Sequence, residues 1–497
     1  MTGLRRVLVA NRGEIAVRII RACGELGITA VAVYSEADRL SLHVAAADEA
    51  YLIGPAPSAE SYLRAEHLVD LAQQTGCDAI HPGYGFLSER AFFAQLVEDA
   101  GLIFVGPPAT AIAAMGDKTE ARRRMIEAGV PVVPGVSEAL ADADAALEAA
   151  AAFGYPVLLK AAAGGGGKGM RVVQGAEGLD RAFAAARSEA ESAFGDGSIY
   201  LEKYLARPRH IEIQVLADAH GTVLHLGERD CSVQRRHQKM IEEAPSPALT
   251  PEVRARMGAT AVAAARAVDY RGAGTIEFLY EDGEFFFLEM NTRIQVEHPV
   301  TELITGIDLV QWQLRIAGGE ALSIEQDDIA LTGHALECRI TSESPANGFL
   351  PSTGRIALLQ APGGPGVRWD GGVAEGVEVS LYYDPLLGKL IVHAADRPAA
   401  LDRMSRALAE LRIVGVETSA PFHRLVMQEP DFRAGDVTIR YLDEHESLLT
   451  DAPAAGSVKL AAVAAALLED EARARRGARR FVTGAQAASR WRETGWR

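Results

Sequence analysis

Residues 274–302 read GTIEFLYEDGEFFFLEMNTRIQVEHPVTE, two runs of β-forming residues joined by the turn residues Glu281-Asp282-Gly283. A three-residue hairpin loop with glycine in the left-handed position fits this turn. Because side chains alternate between the two faces of a strand, that loop makes Glu277 and Glu289 diagonal neighbours on one face. The same alternation adds Asn291 and Arg293 to this face. It points four apolar side chains toward the other face, those of Phe278, Phe286, Leu288 and Met290.

The polar face of this hairpin predicts a metal site. Two adjacent carboxylates repel each other unless a cation lies between them, and Mg²⁺ or Mn²⁺ prefers carboxylate and amide oxygens. We therefore expect Glu277, Glu289 and Asn291 to bind such an ion, which in phosphoryl transfer bridges the phosphates of a nucleotide. The alternative is a solvated face, since glutamate is common on exposed strands. A two-residue loop, Asp282-Gly283, would place the two carboxylates on opposite faces.

A second glycine-rich stretch, VLLKAAAGGGGKGMRVV at residues 157–173, joins two further β-type runs. It is not a dinucleotide fingerprint, which opens a helix, and not a P-loop, which needs Ser or Thr after Lys168. We expect a lid whose backbone N–H groups close over phosphates, with a plain surface turn as the alternative. Lys160 lies between apolar neighbours, so we expect a buried ammonium with an anionic partner.

Two other segments contain reactive residue types. Residues 229–239, RDCSVQRRHQK, are rich in cations and suit an exposed loop or an anion-binding pocket about equally. We expect Cys231 to be inert, because no histidine partner is placed beside it. Glu297, in QVEHPVTE, is a candidate general base, and we expect His298 to be structural.

The composition limits the class of protein. The chain has 497 residues, enough for about three domains, and a formal net charge of −17, which opposes binding to nucleic acid or to acidic membrane surfaces. The four cysteines are scattered without a C-x-x-C pair, which argues against disulfides or zinc and fits a reducing cytoplasm. No stretch has the apolar length of a signal peptide or a membrane span.

Short β-type runs alternate with helical stretches near the amino terminus and predict a doubly wound parallel sheet at residues 1–114. Glycine turns and polar residues inside β-type runs mark a second domain at residues 115–333. Residues 334–445 suggest a smaller α+β domain. The remainder, residues 446–497, is a tail rich in alanine and arginine, most simply a solvated helix or linker.

Six strings occur in order along the chain: ANRGEIAVRI, HPGYGFLSE, GGGGKGM, RDCSVQRRHQK, EAPSP and EMNTRIQVEHPVTE. With them the chain closely resembles, over about residues 4–445, the biotin carboxylases of acetyl-, propionyl-, methylcrotonyl- and other acyl-CoA carboxylases. The resemblance implies a mixed α/β and α+β architecture, an ATP-grasp fold with a lid at about residues 133–204 between N- and C-terminal biotin carboxylase domains. It implies a ligase that carboxylates biotin with ATP and bicarbonate through carboxyphosphate, the first half-reaction of an acyl-CoA carboxylase.

The same resemblance implies roles for individual residues. ATP would be contacted by Lys118, Lys160, Gly166, Gly167, Glu202, Lys203, Leu205, His210, Gln234, His237, Glu277 and Glu289. Within this set, Glu202 to Leu205 would be the hinge that reads adenine. Bicarbonate would be held by Lys239, Arg293, Gln295 and Val296, and Glu297 would remove its proton. A metal ion would be bound by Glu277, Glu289 and Asn291. Arg339 would stabilise the ureido oxygen of biotin, and Tyr84 would line the biotin pocket.

The implied cofactors are ATP, Mg²⁺ or Mn²⁺, and biotin as a substrate on a carrier. The implied partners are a biotin carboxyl carrier protein or domain and a carboxyltransferase β subunit, in a homodimer or a larger α/β assembly. The final segment, RWRETGWR, is similar to the one that leads toward the carrier in methylcrotonyl-type α subunits. Since the sequence has no A-M-K-M-like biotinylation site, we expect the carrier on a separate polypeptide or in a part outside this sequence.

Two other functions compete with this one. Another ATP-grasp carboxylate ligase, of carbamoyl-phosphate or purine carboxylase type, would share the lid and the metal site. Arg339 and the combination of RRHQK with VEHP favour biotin. A catalytically silent scaffold that docks a carboxyltransferase is the alternative of another class. The presence of Glu297, Arg293 and Lys239 argues against it.

Overall fold

The computed structural model describes residues 3–136, 139–161, 170–194 and 197–450, with scattered positions between 459 and 473. Residues 1–449 form one compact unit, and residues 450–497 form a second. The lid glycines Gly166 and Gly167 and most of the predicted tail lie outside the described residues. Among the residues that are described, no helix has the length and apolar character needed to cross a membrane.

A five-stranded parallel sheet in the order β3-β2-β1-β4-β5 forms the amino-terminal part. Its strands are β1 (Arg6–Val9), β2 (Thr29–Ser35), β3 (Glu49–Gly54), β4 (Ala79–His81) and β5 (Ile103–Phe104). Its helices are α1 (Gly13–Glu25), α2 (Leu42–Ala46), α3 (Ala65–Gln74), α4 (Ala91–Asp99) and α5 (Ala109–Gly116). On β1, Val7 and Val9 pack with α1, whereas Leu8 packs with α3 and α4 on the other face. Both faces of the sheet are therefore covered, and the predicted doubly wound parallel sheet is confirmed.

A small antiparallel sheet in the order β7-β6-β8 follows. The elements of this region are α6 (Lys118–Glu127), α7 (Ala143–Phe153), β6 (Val157–Ala161), β7 (Met170–Val173), α8 (Leu179–Phe194) and β8 (Ile199–Lys203). Helices α7 and α8 pack on one face of the sheet through alanines, and the small alanine side chains let helix and sheet approach closely. The glycine-rich stretch thus connects two paired strands, as its sequence predicted.

The central feature is an eight-stranded antiparallel sheet in the order β13-β12-β9-β10-β11-β14-β21-β19. Its first elements are β9 (Arg209–Ala217), β10 (Val223–Arg235), β11 (Gln238–Ala244), α9 (Pro251–Arg266), β12 (Gly272–Glu281), β13 (Glu284–Asn291), α10 (His298–Thr305), α11 (Leu309–Ala317) and β14 (His334–Thr341). The pairing of β11 with β14 carries this sheet across residue 334, where a third domain is predicted to begin.

The carboxyl-terminal elements complete the described chain. Their strands are β15 (Glu343–Ser344), β16 (Leu350–Pro351), β17 (Gly354–Arg355), β18 (Leu358–Gln360), β19 (Val367–Gly371), β20 (Glu378–Val379), β21 (Leu386–Ala394) and β22 (Arg412–Val414). Their helices are α12 (Arg397–Glu410), α13 (Ala420–Val426), α14 (Pro430–Ala434), α15 (Tyr441–Glu444) and α16 (Ser447–Thr450). Helix α12 packs on β14 and β21, so the apolar faces of these two strands are covered from one side.

Candidate active site

The β12-β13 hairpin has a different register from the one predicted. Asp282 and Gly283 both have positive φ, 51° and 86°, and their neighbours Glu281 and Glu284 pair directly. The loop therefore has two residues, of the type that matches strand twist. By itself this loop would place the two carboxylates on opposite faces, but a bulge between the pairs flanking Leu288 adds one residue to β13.

The bulge determines which side chains face the core. Phe285 and Phe287 are buried, whereas Leu288 is 45% exposed. The predicted inward orientation of Phe286 and Leu288 is wrong, because the shorter turn inverts the faces of β13 between the turn and the bulge. Beyond the bulge, the side chains of β13 lie on the faces predicted from the three-residue loop. Glu277 lies directly opposite Glu289, a closer arrangement than the predicted diagonal one.

Hydrogen bonds from two side-chain amides join the predicted metal ligands. Gln295 Nε2 donates to Glu277 Oε1 and to Asn291 Oδ1, each at 2.8 Å. Asn291 Nδ2 donates in turn to Glu289 Oε1 at 3.1 Å. Two carboxylates and an amide oxygen on one sheet face form a donor set that fits Mg²⁺ or Mn²⁺.

Lys239 is the charged centre of the site. Its Nζ donates to Glu212 Oε2 at 2.5 Å, to Glu277 Oε1 at 2.8 Å and to Glu297 Oε1 at 2.7 Å, so all three N–H groups are used. Burial opposes the charge, but the three carboxylates hold the pKa of Lys239 well above its usual value. The site therefore contains a permanent ammonium.

Glu297 lies immediately before α10 and joins this ammonium to a guanidinium. Its Oε2 accepts from Arg339 Nη2 at 2.9 Å, while Arg339 Nε donates to Glu242 Oε1 at 2.5 Å. Burial favours the protonated acid, but Lys239 and Arg339 outweigh it and lower the pKa of Glu297. The carboxylate is therefore ionised near neutral pH and able to accept a proton.

The short segment between β13 and α10 brings the predicted bicarbonate residues together. Arg293 Nε donates to Glu89 Oε2 at 2.9 Å, and its Nη2 donates to Asn291 Oδ1 at 3.2 Å. Gln295 is buried beside the metal ligands, and Val296 is half-buried directly before Glu297. A cationic pocket next to an ionised carboxylate suits a small anion that must lose a proton.

Tyr84 is fixed from two sides. Asn11 Nδ2 donates to the backbone oxygens of Pro82 and Tyr84, each at 2.7 Å, and the Tyr84 hydroxyl donates to Glu14 Oε1. Gly83 has φ of 63°, and a Cβ there would lie 2.9 Å from Asn11 Nδ2. The NRGE and HPGYG strings are thus two loops in direct contact, and glycine is required at their closest approach.

The nucleotide residues are distributed more widely. His210 Nε2 lies 3.1 Å from Glu277 Oε2, and although burial opposes protonation, Glu277 raises the pKa of this imidazole to about 9. Gln234 is half-buried, and its Nε2 donates to the backbone oxygen of Cys231 at 2.8 Å. His237 is exposed at the turn between β10 and β11, with φ of 66°. A non-glycine residue in this conformation costs energy and is typical of functional loops.

The other predicted nucleotide residues lie on the small sheet or beside it. Lys160 Nζ donates to Glu202 Oε2 at 2.8 Å, which confirms its anionic partner. Its predicted burial is wrong, since the side chain is 38% exposed. Strand β6 buries Val157 and Leu159 against the helices, and the alternation turns Lys160 to the opposite face. Leu205 is buried, whereas Lys118 and Lys203 are exposed.

Sequence reasoning missed Arg229 and Glu212 as members of the site. Arg229 is fully buried and uses its whole guanidinium, with bonds to Glu212, Gln214, Thr275, Gln295 and Thr301. The available signal for Glu212 was an acid flanked by isoleucines in the buried run HIEIQVLA.

Segment 229–239 is a hairpin, buried at its start and exposed at its turn. Cys231 is fully buried and burial raises its pKa, which fits an inert thiol.

We expect Glu242 to give the stability of the protein a particular pH dependence. Burial raises the pKa of Glu242 to about 7, against the effect of Arg339, and burial also raises the pKa of Glu337 on the paired strand β14. The folded protein then keeps a proton that the unfolded chain loses at lower pH. This stabilisation is complete below about pH 4.5 and is lost as pH rises toward about 7.

In urea unfolding at about pH 5 and about pH 8, a Glu242→Gln variant should lose less unfolding free energy between the two conditions than the wild type does. Equal losses in the two proteins would show that Glu242 does not hold this proton.

Comparisons with known proteins agree with this geometry. Three family profiles match: "Biotin carboxylase, N-terminal domain" at residues 3–112, "Carbamoyl-phosphate synthase L chain, ATP binding domain" at 117–325, and "Biotin carboxylase C-terminal domain" at 337–444. The biotin carboxylase of Haemophilus influenzae is 54% identical over 443 residues, 89% of this chain and 98% of that protein. A pyruvate carboxylase subunit from Methanothermobacter thermautotrophicus is 54% identical over 441 residues, 88% of this chain and 90% of that protein.

Solved structures give the same result. The biotin carboxylase domain of a thermophilic 2-oxoglutarate carboxylase bound to bicarbonate has a TM-score of 0.86 at 50% identity, covering 90% of this chain and 100% of that one. A biotin carboxylase from Campylobacter jejuni in complex with a β,γ-ATP ligand has a TM-score of 0.81 at 48% identity, covering 89% of this chain and 99% of that one.

The antiparallel sheet, its acidic hairpin and the small β6-β8 sheet define an ATP-grasp ligase. Within that class, the chain belongs to the biotin carboxylase family. It catalyses the ATP-dependent carboxylation of biotin and uses ATP, Mg²⁺ and biotin.

Proposed function

We propose that this chain carboxylates biotin through carboxyphosphate, with Glu297 as the base, in the first half-reaction of an acyl-CoA carboxylase. The observation that carries the proposal is the Glu297 carboxylate, which accepts hydrogen bonds from Lys239 on one oxygen and Arg339 on the other. One acid thereby contacts a cation of the bicarbonate pocket and the cation proposed for biotin.

In the first step, bicarbonate lies against Lys239, Arg293, Gln295 and the backbone of Val296. Glu297 takes its proton, which makes the bicarbonate oxygen a better nucleophile. That oxygen attacks the γ-phosphorus of ATP, the bond to the β-phosphate oxygen breaks, and ADP and carboxyphosphate form. The cations around Glu297 stabilise the negative charge brought together in this step.

The nucleotide is positioned by the remaining predicted residues. Glu277, Glu289 and Asn291 would hold a divalent metal ion, which would neutralise phosphate charge when bound. We propose that ATP is contacted by Lys118, Lys160 and His237, together with Gly166 and Gly167, which lie outside the described residues. Glu202, Lys203 and Leu205 belong to the proposed adenine hinge, and His210 and Gln234 are further proposed ATP contacts. The hydrogen bond from Lys160 to Glu202 supports this arrangement, since it joins two proposed ATP-contacting residues across the paired strands β6 and β8.

In the second step, carboxyphosphate releases CO₂ and phosphate beside biotin. The released phosphate takes the proton of the biotin ureido nitrogen, this nitrogen bonds to the CO₂ carbon, and Arg339 stabilises the charge on the ureido oxygen. Arginine stays protonated throughout, which this role requires. Tyr84 is proposed to line the biotin pocket, and the hydrogen bond from its hydroxyl to Glu14 fixes its orientation.

A Glu289→Gln variant should need about 10- to 100-fold more Mg²⁺ for half-maximal ATP hydrolysis, because one charged metal ligand is lost. A magnesium titration of initial rates measures this shift. Glu284→Gln is the matched control, since Glu284 is exposed on the same strand close to the turn. Identical titrations for wild type and Glu289→Gln would exclude this residue from the metal site.

The partners are proposed by analogy with the family: a biotin carboxyl carrier protein or domain and a carboxyltransferase β subunit, in a homodimer or larger α/β assembly. A 2-oxoglutarate carboxylase relative is described as a domain dimer.

The four free, buried cysteines support a reducing, cytoplasmic location. The acyl-CoA assignment rests on the resemblance of the six motif strings to acyl-CoA carboxylases, and RWRETGWR is similar to a segment of methylcrotonyl-type α subunits. Relatives named as pyruvate carboxylase and 2-oxoglutarate carboxylase suggest pyruvate and 2-oxoglutarate as competing acceptors of the carboxyl group.

The testing experiment measures ATP hydrolysis by the purified chain with Mg²⁺, with and without bicarbonate and free biotin. A rate that requires bicarbonate and rises with biotin is expected. Bicarbonate-dependent hydrolysis indifferent to biotin would favour another ATP-grasp ligase, and no hydrolysis would favour a silent scaffold. Reconstitution with carrier and carboxyltransferase, followed by assay of acyl-CoAs, pyruvate and 2-oxoglutarate, then identifies the acceptor.

A further inference from the structure

Lys389 connects parts of the active site that are distant in sequence. It lies on β21 with a fully buried side chain, and its Nζ donates to the backbone oxygen of Val296 at 2.7 Å. The same Nζ lies 3.2 Å from Glu14 Oε2, on the first turn of α1. Lys389 also pairs directly with Arg339 across strands β14 and β21. One ammonium thus contacts the amino-terminal domain and the Val296–Glu297 segment, beside Arg339.

Glu14 extends this connection to Tyr84. Its Oε2 faces Lys389, and its Oε1 accepts the hydrogen bond from the Tyr84 hydroxyl. Glu14 is only 5% exposed, so this acid is held inside the protein between a lysine and a tyrosine. The result is a continuous chain of polar contacts from the Val296 carbonyl to the Tyr84 ring.

The surroundings of Lys389 show that its charge is well compensated. Asp370 Oδ2 lies 4.0 Å away and is itself bound by Arg368 at 2.8 Å. A buried ion pair of this kind gives little net stability, because desolvation of the charges offsets their attraction. Its directional contacts fix positions more than they add stability.

We propose that Lys389 and Glu14 form a positioning pair that holds the bicarbonate-binding segment at Val296 and the biotin-facing Tyr84 in one fixed arrangement. This inference rests on the bicarbonate and biotin pockets proposed above. Neither residue touches a substrate. Their effect is to keep two pockets at a constant separation, so that CO₂ released in one lies within reach of the ureido nitrogen in the other.

The test is a double variant, Lys389→Met with Glu14→Gln. Methionine has a similar length without the charge, and glutamine keeps an oxygen that can accept from Tyr84. Removing both charges avoids leaving one of them buried alone. The KM values for bicarbonate and biotin should each rise at least about tenfold while the KM for ATP stays close to the wild type's. The exposed pair Arg406–Glu410, changed to Met and Gln, is the matched control and should alter none of the three.

Unchanged KM values for bicarbonate and biotin in a folded double variant would overturn the proposal. A uniform loss of activity with a lowered Tm would also overturn it, because a merely structural pair affects all substrates alike. If the double variant does not fold, Glu14→Asp, which keeps the charge but shortens its reach, is measured in the same way. It should raise the KM for biotin selectively, and an unchanged value contradicts the pair's role.

Arg293→Ala separates this inference from the pockets on which it rests. If Arg293→Ala leaves the KM for bicarbonate unchanged, the proposed bicarbonate pocket is wrong. If Arg293→Ala raises that KM and the double variant does not, the pocket stands and the positioning role of Lys389 is wrong.

Discussion

A Glu297→Gln variant is expected to lose bicarbonate-dependent ATP hydrolysis by about 10²- to 10⁴-fold, the usual contribution of a positioned general base. Glutamine has nearly the same shape, but its single side-chain oxygen can accept from only one of Lys239 and Arg339 at their present positions, and it cannot take a proton. The hydrogen bonds from these two cations keep the carboxylate ionised in the wild type, so the base is available near neutral pH.

Nucleotide binding is the control for this variant, because Glu297 is not among the proposed ATP contacts. A fluorescent ATP analogue should bind with an affinity close to the wild type's. Hydrolysis that continues at the wild-type rate, and still depends on bicarbonate, would show that another group removes the proton.

An Arg339→Met variant is expected to separate the two steps. Bicarbonate-dependent ATP hydrolysis should continue, because Glu297 keeps its contact with Lys239. Formation of carboxybiotin should fall by about 10²- to 10³-fold, since the charge on the ureido oxygen then lacks its stabilising partner. Incorporation of labelled bicarbonate into biotin, measured beside ADP release, gives the ratio of the two steps.

Arg339→Lys is the informative control. Lysine keeps the positive charge but lacks the planar fork that donates to both Glu242 and Glu297. Carboxybiotin formation should therefore be intermediate between wild type and Arg339→Met. An Arg339→Met variant that carboxylates biotin at the wild-type rate per ATP would exclude Arg339 from the second step.

Much of the fold followed from local patterns. The run at β1 and the helical period of α1 predicted the parallel amino-terminal sheet, because burial on both faces gives a continuous apolar strand. The hairpin at Glu281–Glu284 was also evident, and its acidic face predicts a metal site, which stays a prediction. Motif strings then identified the family, since each long string combines several independent residues.

The register of that hairpin could not be predicted from local pattern. Two-residue and three-residue loops both fit Asp282-Gly283, and their difference inverts every side chain of β13. The bulge at Leu288 compensates for the shorter loop, and it is set by packing of Phe285 and Phe287 in the core. Glu277 and Glu289 thus share a face as predicted because the shorter loop and the bulge cancel, although they pair directly and not diagonally.

Long-range pairs were the other feature that local pattern could not supply. Lys389 and Glu14 are far apart in sequence, as are Arg229 and Thr301, and each pair forms only when several strands and helices have packed. Lys160 shows the same limitation on a smaller scale. Its apolar neighbours suggested burial, but exposure depends on which face of β6 the helices cover.

The central claim is that bicarbonate itself attacks the γ-phosphate before biotin is carboxylated. The most direct test supplies bicarbonate labelled with heavy oxygen, together with ATP, Mg²⁺ and biotin, and analyses the released phosphate by mass spectrometry. Attack by a bicarbonate oxygen predicts that one labelled oxygen remains on the phosphate when carboxyphosphate breaks down. Phosphate without the label, formed at the same rate as carboxybiotin, would contradict this mechanism.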